Sequence, residues 1–73
     1  MNKEQQFLID CIVEKLVLLV MEDFHAEMID ALGMVYNSEL YDRLKDTDTG
    51  LYLQSARYNY SYLKQELTTG KMI

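Results

Sequence analysis

Phe7-Leu8-Ile9-Asp10-Cys11-Ile12-Val13-Glu14-Lys15-Leu16-Val17-Leu18-Leu19-Val20-Met21 is the stretch whose periodicity decides the fold. Drawn at about 100° per residue, Leu8, Ile9, Ile12, Val13, Leu16, Leu19 and Val20 fall within one arc of about 140°, the width of a helix face turned toward a core. Asp10 and Glu14 share a polar strip on the other side. Beside that strip Phe7, Cys11 and Leu18 form a second, narrower apolar line at spacings of four and seven. A helix that is apolar on two sides has two surfaces to cover. Upstream, Asn2 with Gln5 three residues later has the spacing of a capping box, and Glu4 in the first turn suits the helix dipole. These signals predict a helix from the Asn2 cap to about Met21.

Past Glu22-Asp23-Phe24-His25 the apolar pattern resumes with Met28, Ile29, Leu32, Val35 and Tyr36, which predicts a second helix over about residues 27–36 with those side chains on its core face. Gly33 lies on the flank of that arc, where its cost of about 1 kcal/mol relative to Ala is tolerable if another backbone packs close. Asn37-Ser38 reads as a helix end, where Asn tolerates a left-handed residue, followed by a new cap. A short third helix then carries Leu40, Tyr41 and Leu44. Lys45-Asp46-Thr47-Asp48-Thr49-Gly50 is a loop of side chains that bond their own backbone, closed by a glycine. Leu51-Tyr52-Leu53 reads as a brief extended or single-turn segment. Ser55 caps a last helix whose Ala56, Tyr60, Leu63 and Leu67 line up toward the core, while Tyr58 and Tyr62 point nearly the opposite way. The expected fold is a small all-α bundle of about four helices in one domain over residues 1–67, with residues 68–73 as a fraying tail.

Composition agrees. A chain of 73 residues holds one core, because at this size only about 60% of the unfolded surface is buried. Its 49% apolar and 26% charged residues are those of a folded domain, and three glycines without proline disfavour an all-β architecture. The single cysteine excludes an internal disulfide framework, from which a cytoplasmic location is expected. The early acid of Lys3-Glu4 and the lack of a cleavage site after an apolar run argue against a signal peptide. The longest uncharged apolar run, Leu16 to Met21, is six residues, against the roughly 20 needed to cross a bilayer. Seven basic residues against twelve acidic ones give a net charge of -5. That balance disfavours nucleic acid, which is held by Lys and Arg on phosphate, and suits a basic partner.

The run Tyr36-Asn37-Ser38-Glu39-Leu40-Tyr41-Asp42-Arg43-Leu44, then Asp46, Thr49-Gly50-Leu51-Tyr52, Gln54-Ser55, Tyr58, Tyr60, Leu63 and Glu66-Leu67 resembles a family of short bacterial proteins of unknown function with the pattern YNS..Y..L.D..TGLY.QS..Y.Y..L..EL. The resemblance covers about residues 12–67. Ala56 stands where the pattern leads one to expect a helix-starting proline. The resemblance implies an all-helical bacterial protein encoded among other small genes, and toxin-like neighbours are among the expectations it raises. It supplies no activity and no catalytic residue.

Candidate chemistry is sparse. His25 lies near Glu22, Asp23 and Glu27, which are metal-ligand types, but one imidazole at a helix junction reads better as a cap or solvated turn. Asp46-Thr47-Asp48-Thr49-Gly50 opens like a calcium loop and then fails, with Gly50 and Arg57 at the positions that need a polar ligand and a glutamate. Cys11 sits two turns inside a helix on an apolar line, the place of a packed thiol and not of an activated one. Ser38 and Ser55 are caps, Ser61 has no histidine at triad spacing, and no glycine-rich phosphate loop exists. Six tyrosines, all from residue 36 onward, are the compositional oddity. Tyr36, Tyr41, Tyr52 and Tyr60 fall on or beside apolar stripes and are expected at the core or its edge; Tyr58 and Tyr62, one turn apart, are candidates to anchor a partner.

The sequence therefore points to a non-catalytic protein–protein interaction module, regulating or neutralising a neighbouring gene product. No cofactor, metal, membrane or small-molecule substrate is indicated. The candidate interface residues are Phe7, Cys11, Leu18, Tyr58 and Tyr62, used for a protein partner or for a homodimer through the first helix. The alternative is a small nucleic-acid-associated regulator, which needs Arg43, Lys45, Arg57 and Lys64 to converge on one face.

Overall fold

The computed structural model describes residues 2–70. Four α-helices are joined by short links, with two 3-10 turns before the last: α1 (Lys3–Phe24), α2 (Met28–Tyr36), α3 (Glu39–Lys45), the turns Thr47–Thr49 and Leu51–Leu53, and α4 (Ala56–Thr69). The described residues contain no strand, and the expected all-α bundle is what the chain forms.

The capping box starts α1: the Gln5 amide donates to Asn2 Oδ1 at 2.7 Å and the Asn2 amide donates to Gln5 Oε1 at 3.1 Å. The helix continues three residues past Met21 because Phe24, like Met21, packs against the core and prolongs the stripe. It stops at His25, whose φ of 52° and ψ of 37° are left-handed, a conformation that histidine tolerates better than most side chains. Twenty-two residues at about 1.5 Å each make a rod of about 33 Å, which equals the longest dimension of the molecule, 33 Å.

Both α2 and α4 pack on α1. Its buried residues are Ile9, Ile12, Val13, Leu16, Val17 and Val20, while Leu8 and Leu19 are only half-buried. The buried seam is thus rotated by about 40° from the arc expected of the sequence, toward Val17. Packing of α2 on that edge accounts for the rotation.

The expected core face of α2 is corrected by the structure. Ala31 and Val35 are its buried residues, whereas Met28 is 57% and Ile29 76% exposed, and Leu32 and Tyr36 also face solvent. Among its nine residues only Asp30 is charged, so a single side chain marks the polar side of this helix. Gly33 meets no backbone: a Cβ there would find only Asn37 Nδ2, at 3.9 Å. The expected close approach is absent. Asn37, also expected in a left-handed conformation, has φ -92°.

The second half of the chain is held by polar clamps. Ser38 Oγ accepts from the Tyr41 amide at 3.1 Å and donates to the Val35 carbonyl at 2.6 Å. Two further α3 amides, of Glu39 and Leu40, donate to the carboxylate of Glu66 on α4, at 2.7 and 3.0 Å. Leu40 and Leu44 lie in the same buried core as Leu63 and Tyr60. Gly50, at φ 71°, closes the Thr47–Thr49 turn. Asn59 is fully buried and its Nδ2 donates to the carbonyls of Leu51 and Ser55, both at 3.0 Å. Gln5 Nε2 donates to the Tyr52 hydroxyl at 3.2 Å and ties the same turn to α1. Ser55 caps α4 by accepting from the Tyr58 amide at 3.0 Å, so Ala56 begins the helix without proline. Thr68 and Thr69, expected to fray, are helical and are followed by Gly70 at φ 85°. The rest of the expected tail, 71–73, lies outside the described residues.

Removing the Glu66 clamp leaves two α3 amides without their charged acceptor. Glu66→Ala is expected to lower stability in urea unfolding by about 1.5–3 kcal/mol, whereas Glu39→Ala, which removes only an exposed pair with Arg43, should cost less than about 1 kcal/mol.

Candidate functional site

The two apolar sides of α1 meet different fates. On the side of α2 lies a groove of about 320 Å³, bounded by Asp10, Val13, Glu14, Val17, Leu18, Met28, Leu32 and Tyr36. Val13 and Val17 are buried and form its floor. Asp10, Glu14 and Leu18, at spacings of four, make the α1 wall; Met28, Leu32 and Tyr36, also at spacings of four, make the α2 wall. Both walls are ridges of parallel side chains, since residues four apart on a helix stack on one face. The two charges in the groove, Asp10 and Glu14, are both acidic. Ile29 continues the apolar surface outward from α2.

A helix that is apolar on nearly every side is normally buried. α2 has that composition, yet its Met28, Ile29, Leu32 and Tyr36 face water. Patches of this kind mark binding surfaces.

The sequence-derived candidates are distributed around this feature. Leu18 is 54% exposed and stands at the groove edge. Phe7 is 65% exposed near the start of α1 and belongs to none of the described grooves. Cys11 is half-buried on the other flank, in a depression formed with Leu8, Ile12, Lys15 and residues 52–56. Phe7, Cys11 and Leu18 lie along one side of α1, and of the three only Leu18 borders the groove with α2. Tyr58 and Tyr62 do adjoin: their rings meet edge to face at 5.4 Å and their hydroxyls lie 3.2 Å apart, which raises the Tyr58 hydroxyl above its ordinary acidity range. Tyr58 is exposed, and Tyr62 is half-buried against the core. Tyr36, expected at the core edge, is instead exposed on the groove wall, with its ring 4.9 Å from Tyr41.

The residues that sequence reasoning missed are Met28, Ile29 and Leu32, assigned to the core. The available signal was α2's single charged residue, which leaves more apolar surface than one packing contact covers.

No three metal-ligating side chains among the described residues are arranged to hold a metal. His25 ends α1, and the Asp46 and Thr49 side chains bond the local backbone, Asp46 to the Asp48 amide at 3.1 Å and Thr49 to the Arg43 carbonyl at 2.8 Å. One titratable cluster is present. The Tyr60 hydroxyl donates to Asp23 Oδ2 at 2.7 Å, and Lys64 Nζ lies 3.5 Å from the same oxygen. The Tyr60 bond, more than Lys64, holds the Asp23 carboxyl below its ordinary value of 3.8, against the opposing effect of burial. Burial, then Asp23, pushes the Tyr60 hydroxyl well above its ordinary range. This cluster pins the end of α1 to α4. Of the four cations that nucleic-acid binding would require, Arg43 pairs with Glu39, Lys45 lies 3.9 Å from Asp42 and 4.6 Å from the Tyr41 ring centre, and Lys64 faces Asp23.

No family model matches the chain, and comparisons with curated proteins and with solved structures give no match.

Because Ile29 contributes little to the core, Ile29→Ser should change stability by no more than about 0.5 kcal/mol, whereas Leu40→Ala should cost about 2–5 kcal/mol; chemical unfolding of both variants checks the assignment. Asp23, with a lowered folded-state pKa, contributes stability above its unfolded value and loses that contribution as pH falls through the lower, folded one. The stability difference between the native chain and Asp23→Asn is therefore expected to be constant near neutrality and to shrink below about pH 4, read from urea midpoints across pH.

Proposed function

We propose that this chain is a non-catalytic protein–protein interaction module whose docking surface is the groove between α1 and α2. The observation that carries the reading is the exposure of Met28, Ile29, Leu32 and Tyr36 on a helix composed for burial, opposite an α1 wall ending in Leu18. Its geometry fits the helix-in-groove mode of recognition, in which an apolar stripe at helical spacing enters a trough between two helices. The pairing of Arg43, Lys45 and Lys64 with local acids or aromatic rings favours a protein partner over nucleic acid. The biological role we propose for such a module is regulation or neutralisation of a neighbouring gene product, an expectation raised by the resemblance of Tyr36 to Leu67 to short bacterial proteins and not by any matched family.

Leu32 lines the groove but not the core, so Leu32→Glu tests the surface without removing the fold. With the native chain immobilised in an extract of its source cells, a protein should be retained that Leu32→Glu fails to retain, while the two show the same helical circular dichroism. Equal retention by both contradicts the assignment.

A further inference from the structure

We infer that the occupant of the α1–α2 groove is a short amphipathic helix with Lys or Arg along one edge; this rests on the docking reading above and adds the chemistry of the partner. The apolar part follows from the walls. From Met28 to Tyr36 the α2 wall rises eight residues, or about 12 Å at 1.5 Å each, so it accommodates roughly two turns of a partner helix. A stripe of apolar side chains at three- and four-residue intervals matches ridges that are themselves spaced by four.

The basic edge follows from charge. Asp10 and Glu14 stand one turn apart, about 6 Å along α1, both exposed, and no cation shares the groove with them. The segment from Glu22 to Asp42 carries six acids, Glu22, Asp23, Glu27, Asp30, Glu39 and Asp42, and no Lys or Arg. Two cationic side chains one turn apart on a docked helix meet Asp10 and Glu14 while their aliphatic stems cover Leu18. A second copy of this chain is a poorer occupant. It brings a net charge of -5 and the same acidic wall into a self-complementary contact, where like charges oppose association.

Two synthetic peptides with one leucine stripe at helical spacing, differing only in Lys or Glu along one edge, are the probes. Binding to the full chain is read by fluorescence polarisation at low and high salt. The lysine peptide is expected to bind about tenfold more tightly, an advantage that shrinks with salt. Leu32→Ser should abolish its binding without loss of helicity. Asp10→Asn with Glu14→Gln should remove most of the preference, while Asp46→Asn with Asp48→Asn, in the loop after α3, should leave it unchanged.

Equal binding of both peptides, lost in Leu32→Ser, overturns the basic edge and leaves the docking surface standing. A preference that survives Asp10→Asn with Glu14→Gln but falls in the Asp46 and Asp48 variant also overturns it, as attraction to net charge alone. If neither peptide binds and the chain forms a dimer that Leu32→Ser dissociates, the occupant is a second copy and the inference fails. If neither binds and the mass is that of one chain, the inference fails too, and the docking surface is then decided by the Leu32→Glu comparison.

Discussion

A single 22-residue helix serves as the wall against which the principal packing of this chain is built. α2 takes one flank of α1, the Leu51–Leu53 turn and α4 take another, and α3 reaches the core from α4. A rod wider in apolar surface than its neighbours can cover leaves part of that surface open. The groove bounded by Leu18, Met28, Leu32 and Tyr36 is the geometric remainder of that constraint. The candidate site is therefore a consequence of how few elements the chain has, and of α2 being too short and too apolar to turn all of its side chains inward.

Small size also explains why polar groups take part in holding the elements together. Below about 70–80 residues one apolar core contributes only about 3–5 kcal/mol, and the described core has Leu and Val side chains but few aromatics. Glu66 supplies a cap to α3 from the far end of α4, Asn59 fixes the preceding turn from inside the core, and the Asp23–Tyr60 bond joins the end of α1 to α4. Each joins elements that are distant in the sequence or fixes the turn between them. All three leave the outer side of α2 untouched.

The capping signals were legible because they are local. Asn2 with Gln5, Ser38, Ser55 and Gly50 act within three or four residues, and each sits where the sequence reading places it. The α1 seam was legible to within about 40°, since Asp10 and Glu14 mark its polar side. α2 had only Asp30 as such a marker: a pattern of large apolar residues favoured Met28, Ile29 and Leu32, and the small Ala31 that is actually buried gave no signal. The clamps joining Glu66 to α3 and Tyr60 to Asp23 span 26 or more residues, a separation over which periodicity carries no information. The candidate surface inherits this division, with Leu18 found from the sequence and its α2 partners found only from the fold.

The central claim is that the outer side of α2 is open to solvent in the isolated chain. Carbene footprinting at dilute concentration, read residue by residue by mass spectrometry, tests it most directly because Met28 and Met34 lie in the same helix and serve as each other's control. Met28 and Ile29 are expected to label strongly and Met34, packed against the core, weakly. Protection of Met28 equal to that of Met34 would mean that this face is covered within the chain, and would contradict the account.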